Sequence, residues 1–329
     1  MQYNLQFHKL CELLNIGELL DEPVQLTGGL IHRMYAVETA SGKYAIKALN
    51  PQVMLRPNAM TDIVNGERIA TIAASYIPAL PAKQLNCSFI HEIGGQYYLV
   101  YDWIDGQPLF NENITPLHCK SIGEILGNLH SIDFSHLDIL RPATTIENIT
   151  GWNEYLQTGQ QTGAPWASDL LGIIDEIYEW NRRYLASMKY LESPLVIGHG
   201  DIDPKNVMWS DGSPVVIDWE SAGFLNPSHE FIIYALYWSN QNGTIEKSKF
   251  EAFLNGYQSR SKLEIADWRI VMDAGLSPRW LEYNIKRSLG IDCTDFAEQQ
   301  LGTEQVYGTI DYLRRYEATI PRVLEWLPY

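Results

Sequence analysis

Residues 199–206 read HGDIDPKN and residues 215–220 read VVIDWE. They place a carboxylate at Asp201, a carboxamide five residues later at Asn206, and a second carboxylate at Asp218. A carboxylate held by a tight loop after a strand can accept the proton of an attacking hydroxyl. A carboxamide and a carboxylate that converge from neighbouring segments offer the hard oxygen ligands that Mg²⁺ prefers. Phosphoryl transfer needs little more than this, because it depends on positioning and charge neutralisation.

The first hundred residues combine strand and helix signals. Ser41-Gly42 predicts a hairpin turn between two extended runs, and Asp62 is a typical helix N-cap residue, although Gly66 weakens the helix after it. The predicted elements are a helix over 5–20, strands at 33–38 and 44–49, a helix from 62 towards 76, and strands at 88–93 and 96–101. This pattern indicates a small antiparallel sheet with one inserted helix.

Beyond residue 103 the pattern becomes mainly helical. Apolar residues at helical spacing predict a helix ending near His130, and a second helix is expected over 170–191. A short apolar strand at 195–197 leads into the HGDIDPKN segment. The sequence therefore predicts an α+β protein with two lobes, a sheet-containing N-lobe over 1–103 and a larger helical C-lobe over 104–329.

Composition limits the class of protein. The chain has 329 residues with 24 Lys+Arg and 40 Asp+Glu, giving a formal charge of −16, which argues against a nucleic-acid partner. Its four cysteines form no C-x-x-C pair, and we expect reduced thiols. No signal peptide and no apolar run long enough to span a membrane is evident. We therefore expect a cytoplasmic protein, as a monomer or homodimer.

The chemical motifs resemble a known family. H-G-D-x-x-x-x-N followed by I-D-W-E is similar to the signature of the aminoglycoside phosphotransferase and choline kinase families, which share the two-lobed protein-kinase fold. Residues 44–47 (YAIK) resemble the strand that carries the phosphate-binding lysine, and residues 99–106 (LVYDWIDG) resemble the hinge between the lobes. The resemblance covers roughly residues 20–235.

The resemblance implies a role for each matching residue. Asp201 would be the catalytic base, and Asn206 and Asp218 would hold Mg²⁺. Lys47 would contact the phosphates of ATP or GTP while Glu67 holds it in place. The remaining nucleotide-binding residues implied by the family are Gly28 and Gly29 in the phosphate-covering loop, and Tyr101 and Trp103 in the hinge that receives the base. His199 would brace the catalytic loop.

The sequence departs from the family pattern in two places. The phosphate-covering loop, residues 27–33, has Ile31 and His32 where many relatives have serine and asparagine. Its backbone amides, or side chains such as His32, would then have to compensate for the lost hydroxyl contact. The lysine that follows the catalytic base in protein kinases is replaced by Asp203, with Lys205 nearby. The A-P-E motif of protein kinases is absent, which argues against a protein substrate.

We therefore expect a small-molecule kinase that phosphorylates an alcohol group with ATP or GTP and Mg²⁺. An aminoglycoside-like antibiotic is the leading acceptor class, with antibiotic resistance as a consequence. The alternatives are choline or ethanolamine, homoserine, methylthioribose, fructosamine or a macrolide. Two other classes are a catalytically silent kinase-like module, favoured by Ile31-His32, and a metallohydrolase using His199, Asp201 and Asp218. Two roles remain for Glu220, an indirect contribution to the metal site or a cap of the next turn. Residues 226–230 are interpreted mainly as a helix cap.

Overall fold

The structure, a computed structural model, describes residues 3–26, 31–141, 149–263, 266–291 and 296–327. Its N-terminal part contains a five-stranded antiparallel sheet of order β1-β2-β3-β5-β4. The strands are β1 (Val24–Leu26), β2 (Arg33–Thr39), β3 (Gly42–Ala48), β4 (Ile90–Ile93) and β5 (Gln96–Asp102). The two predicted hairpins are confirmed, with β2 paired to β3 and β4 paired to β5.

Side-chain alternation along β3 gives the sheet two different faces. Ile46 is buried with Val37 against the apolar side of helix α1 (Phe7–Leu14), which contributes Leu10. Lys47 points to the opposite face, since successive residues of a strand alternate in direction. Helix α1 is shorter than predicted, because Asn15 takes a left-handed conformation with φ 52° and ends it.

Helix α2 (Ala59–Ala73) is the helix inserted between β3 and β4. It contains Gly66, which the sequence suggested as a weak point. A Cβ at this position would lie 2.3 Å from the carbonyl oxygen of Trp219, in the turn after Asp218. Glycine is therefore needed here for close approach, because it lets α2 pack directly on the turn that carries the I-D-W-E motif.

The remainder of the chain is mainly helical. Its helices are α3 (Pro116–His130), α4 (Trp152–Thr162), α5 (Ala167–Leu171), α6 (Ile174–Tyr190), α7 (Pro227–Ser239), α8 (Lys247–Gln258), α9 (Trp268–Asp273), α10 (Arg279–Ser288) and α11 (Phe296–Leu324). The single helix predicted over 170–191 is thus two helices. The α+β class, with an N-terminal sheet and a helical C-terminal part, is confirmed. The predicted lobe boundary at residue 103 follows directly on the end of β5.

Among the described residues of the helical part, three small antiparallel sheets are present. Their strands are β6 (Gln107–Pro108), β7 (Val196–Gly198), β8 (Val207–Ser210), β9 (Ser213–Val216), β10 (Gly223–Leu225), β11 (Asn240–Gln241) and β12 (Thr244–Ile245). Strand β7 ends directly before His199, and β9 ends two residues before Asp218. The two sequence motifs therefore emerge from ordered strands. None of the helices described is long and apolar enough to cross a membrane.

Candidate active site

The loop after β7 depends on a glycine. Gly200 has φ +78°, and a Cβ there would lie 2.4 Å from the carbonyl oxygen of Ser221. Both the positive φ and the contact exclude a larger residue without strain. The result is a sharp turn that leaves Asp201 at the head of the loop, as the H-G-D motif predicts.

His199 braces this loop through its backbone, which agrees with the role expected from the sequence. The side chain is fully buried. Its Nδ1 accepts a hydrogen bond from the Asp201 N–H at 3.1 Å, so the ring proton resides on Nε2 and is donated to the Ile217 carbonyl at 3.1 Å. Burial lowers the pKa of His199 and keeps this tautomer neutral. One imidazole thus ties the loop of Asp201 to the residue before Asp218.

A buried carboxylate on α7 also supports this loop by accepting hydrogen bonds from its backbone. Glu230 Oε1 accepts the backbone N–H groups of His199 and Gly200 at 2.9 and 2.8 Å, and Oε2 accepts His130 Nε2 at 2.8 Å. Burial acts to raise the pKa of Glu230, but these hydrogen bonds and the His130 interaction lower it overall. The sequence interpretation of residues 226–230 as a helix cap holds for Asn226, whose side chain accepts from Ser228 N–H, but it missed this second role. The signal was a glutamate leading into the apolar run of α7.

Asp201 is joined to its two neighbours on the loop. Asn206 Nδ2 donates to Asp201 Oδ2 and to the Asp201 carbonyl, both at 2.8 Å. Lys205 reaches back so that its ammonium lies 3.3 Å from Asp201 Oδ2 and 2.9 Å from Asp203 Oδ2. Burial raises the pKa of Asp201 to about 6, against the opposing charge of Lys205. A carboxylate with a raised pKa is a better proton acceptor than an ordinary aspartate.

The donor set around Asp218 fits a hard divalent cation. Asp218 adopts a left-handed backbone with φ 65°, uncommon for a residue other than glycine and frequent at functional sites. Its Oδ1 is bound by Lys47, which leaves the second carboxylate oxygen. The Asn206 amide uses its nitrogen on Asp201, which turns its oxygen to the other side. One carboxylate and one amide oxygen are the ligand types that Mg²⁺ takes alongside water and phosphate oxygens.

Lys47 lies where the family strand predicts, but with different partners. Its ammonium is 2.6 Å from Asp218 Oδ1 and 3.1 Å from Glu220 Oε2. The lysine is buried, which acts to lower its pKa, yet the two carboxylates outweigh this and raise the pKa of Lys47. Burial acts to raise the pKa of Glu220, but hydrogen bonds from His32 and Lys47 and the charge of Lys47 outweigh it and lower the pKa to about 2.

The expected ion pair between Glu67 and Lys47 requires correction. Glu67 is buried, and its two oxygens accept from the Ala82 N–H at 2.5 Å and from the Tyr101 hydroxyl at 2.7 Å. Burial raises the pKa of Glu67 despite the nearby Lys47 charge. The inserted helix thus directs this carboxylate to the segment after it and to β5, and Glu220 is the glutamate that contacts the lysine.

The predicted hinge residues differ in their surroundings. The Tyr101 side chain is buried against Glu67, so its ring does not face a nucleotide, and only its backbone remains for such a contact. Trp103 is half-buried, with the Lys43 ammonium 3.9 Å from its ring centroid and its Nε1 donating to Asp105. The predicted loop glycines Gly28 and Gly29 lie outside the described residues.

The metallohydrolase alternative does not match this geometry. Both ring nitrogens of His199 are engaged by backbone groups, so neither offers a lone pair to a metal. Within the part of the chain that the structure describes, no group of three or more His, Cys, Asp and Glu is arranged to hold a metal ion.

Comparison with known proteins assigns this arrangement to a family. A model of the phosphotransferase enzyme family matches residues 23–269, which is most of the chain. The protein belongs to this family. Members transfer a phosphoryl group to a hydroxyl acceptor, and the protein is accordingly a phosphotransferase.

Individual relatives of this phosphotransferase are distant. Homoserine kinases of Polaromonas naphthalenivorans and Methylobacillus glycogenes are 24% and 23% identical over 257 and 254 residues, covering 75% and 74% of this chain and 75% and 72% of theirs. A spectinomycin phosphotransferase solved with ADP and spectinomycin aligns with a TM-score of 0.69 at 16% identity, over 98% of this chain and 100% of that one. Choline kinase from Cryptosporidium parvum aligns at 0.55 and 16% identity, over 98% and 97%. These structural similarities confirm the kinase-like fold.

Proposed function

We propose that this phosphotransferase transfers the γ-phosphate of ATP or GTP, with Mg²⁺, to a hydroxyl of a small molecule. One observation carries the proposal: residues from β3 and from both motif loops meet in one network. Lys47 contacts Asp218 at 2.6 Å, and Asn206 contacts Asp201 at 2.8 Å. His199 joins the two loops by accepting from one and donating to the other.

The proposed roles of the side chains follow from their chemistry. Asp201 orients the acceptor hydroxyl and takes its proton as the hydroxyl oxygen bonds to the γ-phosphorus and the bond to the nucleoside diphosphate breaks. Lys47 neutralises charge on the nucleotide phosphates, which the Gly28-Gly29 loop would cover. Asn206 and Asp218 would hold Mg²⁺, which supplies further charge neutralisation at the phosphates.

A cavity between the C-terminal end of α7 and helix α11 is the proposed acceptor site. Its volume is about 150 Å³, and its lining includes Tyr237, Asn240, Asp311, Tyr312 and Tyr316. Burial raises the pKa of Tyr237 in this lining, a hydrogen bond with Tyr312 lowers it, and the charges of Asp203 and Asp201 on the loop add to the rise. This volume is on the scale of one small acceptor or of one sugar ring.

An aminoglycoside-like antibiotic is the acceptor class we propose first. The net charge of −16 attracts polycations, and the aromatic lining of the cavity offers ring faces to an amino sugar. The solved relative with the highest TM-score among those described above is a spectinomycin kinase. The same proposal places the protein in the cytoplasm, where nucleoside triphosphates are available, and implies antibiotic resistance in the host.

Homoserine is the second candidate, because the two curated relatives are both homoserine kinases. A free amino acid also matches the small cavity volume better than a complete aminoglycoside does. Homoserine carries no net charge at neutral pH, so the overall charge of the protein would contribute nothing to its capture.

Release of ADP or GDP by the purified protein with Mg²⁺ tests the proposal. The acceptor panel is aminoglycosides, macrolides, choline, homoserine and methylthioribose. We expect one class to stimulate release, and the Asp201→Asn variant to lose about 10²–10⁴-fold in rate while still binding nucleotide. Nucleotide binding with no stimulation by any acceptor would instead favour the catalytically silent module.

A further inference from the structure

His32 lies at the exit of the phosphate-covering loop and is fixed to the end of β3. It is 6% exposed, and its Nδ1 accepts the backbone N–H of Asn50 at 2.9 Å. The Asn50 side chain completes the connection by donating to the Ile31 carbonyl at 3.1 Å. Two hydrogen bonds thus join the loop exit to the segment that begins three residues after Lys47.

The hydrogen bond from Asn50 also determines which ring nitrogen of His32 carries the proton. A ring nitrogen that accepts a hydrogen bond carries no proton, so the ring proton is on Nε2. That N–H faces Glu220 Oε2 at 3.3 Å. His32 therefore donates across from the N-terminal sheet to the turn that follows Asp218, in a place where relatives have a short asparagine.

Glu220 Oε2 is shared by His32 and by Lys47, whose ammonium lies 3.1 Å away. Glu67 is not available for this task, because its two oxygens are bound by Ala82 and Tyr101. Among the described residues, Asp218 and Glu220 are the carboxylates that contact Lys47 directly. Since Asp218 is the proposed metal ligand, Glu220 is the carboxylate left to orient the lysine.

We propose that His32 is a positioning residue for nucleotide binding: its hydrogen bond fixes Glu220, and Glu220 in turn orients Lys47 towards the nucleotide phosphates. The inference rests on the proposed function. It assigns to Glu220 the orienting role that the inserted helix supplies in the family pattern. It also gives His32 a specific task, in which the loop exit and the metal-binding turn are held together by one side chain.

The test is the dissociation constant of MgADP, measured by calorimetry for the full-length protein and its variants. Glu220→Gln removes the charge of the carboxylate that His32 and Lys47 share, and His32→Phe keeps an aromatic ring but removes both hydrogen bonds. His32→Gln restores a donor and an acceptor. Glu67→Gln tests the family alternative, and Glu92→Gln is an exposed control on β4.

We expect Glu220→Gln and His32→Phe each to weaken MgADP binding about tenfold, and the double variant to be no weaker than either, because both changes break one bridge. His32→Gln should recover most of the affinity, and Glu67→Gln should lose less than Glu220→Gln. If the losses of MgADP affinity in the two single variants multiply in the double variant, this inference is overturned. The same holds if Glu67→Gln loses more affinity than Glu220→Gln. In both cases the proposed function still stands. A wild-type protein that binds no MgADP would refute the proposed function itself. If His32→Phe does not fold, as judged by circular dichroism, the comparison of Glu220→Gln with Glu67→Gln decides.

Discussion

At the scale of single residues, Lys205 places a cation beside Asp201, the proposed catalytic carboxylate. Its ammonium lies between Asp201 and Asp203, with 3.3 Å and 2.9 Å to their Oδ2 atoms. The lysine is half-exposed, so these ion pairs add little to folding stability. Under the proposed function, this ammonium would stabilise the charge that develops on the phosphoryl oxygens; the sequence alone left the direction of its side chain open.

Replacing Lys205 should therefore affect turnover more than nucleotide binding. We expect Lys205→Met to lower kcat by about 10²–10³-fold, as loss of one charge-stabilising group in a transition state does, with the KM for ATP within about threefold of wild type. Steady-state kinetics at saturating acceptor measure both. Lys205→Arg, which retains the charge, should recover part of the rate; a change confined to the KM for ATP would contradict this role.

A second prediction at this scale concerns the contribution of Glu230 to folding stability. Its buried carboxylate oxygens accept three hydrogen bonds, from His130, His199 and Gly200. Removing the carboxylate therefore leaves three polar groups without a hydrogen-bond partner. We expect Glu230→Ala to lower the free energy of unfolding by about 3–5 kcal/mol, as breaking a buried pair does. The exposed Glu251→Ala change should cost less than about 1 kcal/mol. Urea unfolding of both variants makes the comparison, and equal losses would contradict it.

The difference in the free energy of unfolding between wild type and Glu230→Ala should depend on pH, and the sign of this dependence follows from the pKa of Glu230. The pKa of Glu230 is lowered in the folded protein, so the unfolded chain takes up the proton first as the pH falls. The stabilisation by Glu230 is complete above the ordinary glutamate pKa of about 4.3 and is lost as the pH drops through the lowered value. The gap between wild type and Glu230→Ala should accordingly narrow below about pH 4, and a gap that widens there would be inconsistent with this account.

Among whole elements, the pair α3 and α8 packs at unusually short range. A Cβ on Gly123 would lie 2.1 Å from the Phe253 carbonyl oxygen, and one on Gly256 would lie 2.1 Å from the Lys120 carbonyl oxygen. Each glycine thus faces the backbone of the other helix, and these two contacts set the distance between α3 and α8. Helix α3 also supplies His130 to Glu230, so the spacing extends to the catalytic loop.

Alanine at Gly123 should separate the two helices. We expect Gly123→Ala to destabilise the protein by about 1–3 kcal/mol, the usual cost of overpacking. Gly308 on α11 is the matched control: it is exposed and has open space where a methyl group would extend, so Gly308→Ala should stabilise by up to about 1 kcal/mol through helix propensity. Chemical denaturation gives both values, and a neutral Gly123→Ala would show that the helices can move apart freely.

The sequence predicted the elements with local signals and missed what depends on distant contacts. Strands β2 and β3 were expected because alternation and a Ser-Gly turn lie within a few residues. The motif residues Asp201, Asn206 and Asp218 follow from spacing in the same way. The partners of Glu67 could not be predicted, because Ala82 and Tyr101 reach it only through the fold. Glu230 had a local signal, a glutamate in the first turn of an apolar helix, but its partners are remote in the sequence.

For the whole molecule, the charge of −16 gives a test of acceptor class. Raising the salt concentration from about 0.01 M to about 0.15 M shortens the Debye length from about 30 Å to about 8 Å and screens long-range attraction. If the acceptor is an aminoglycoside, its KM should rise severalfold over this range. The KM for homoserine should stay nearly constant, since it has no net charge. A salt-independent KM for an aminoglycoside would contradict electrostatic capture.

The central claim is that the site moves a phosphoryl group from a nucleotide to a hydroxyl. Its most direct measurement is the transfer of phosphorus-32 from γ-labelled ATP or GTP to the acceptor that stimulates most, with Mg²⁺, for wild type and Asp201→Asn. The account predicts labelled acceptor in proportion to the diphosphate released by wild type. It predicts almost none from Asp201→Asn, although that variant still binds nucleotide. Label recovered only as free phosphate with every acceptor, or undiminished transfer by Asp201→Asn, would contradict it.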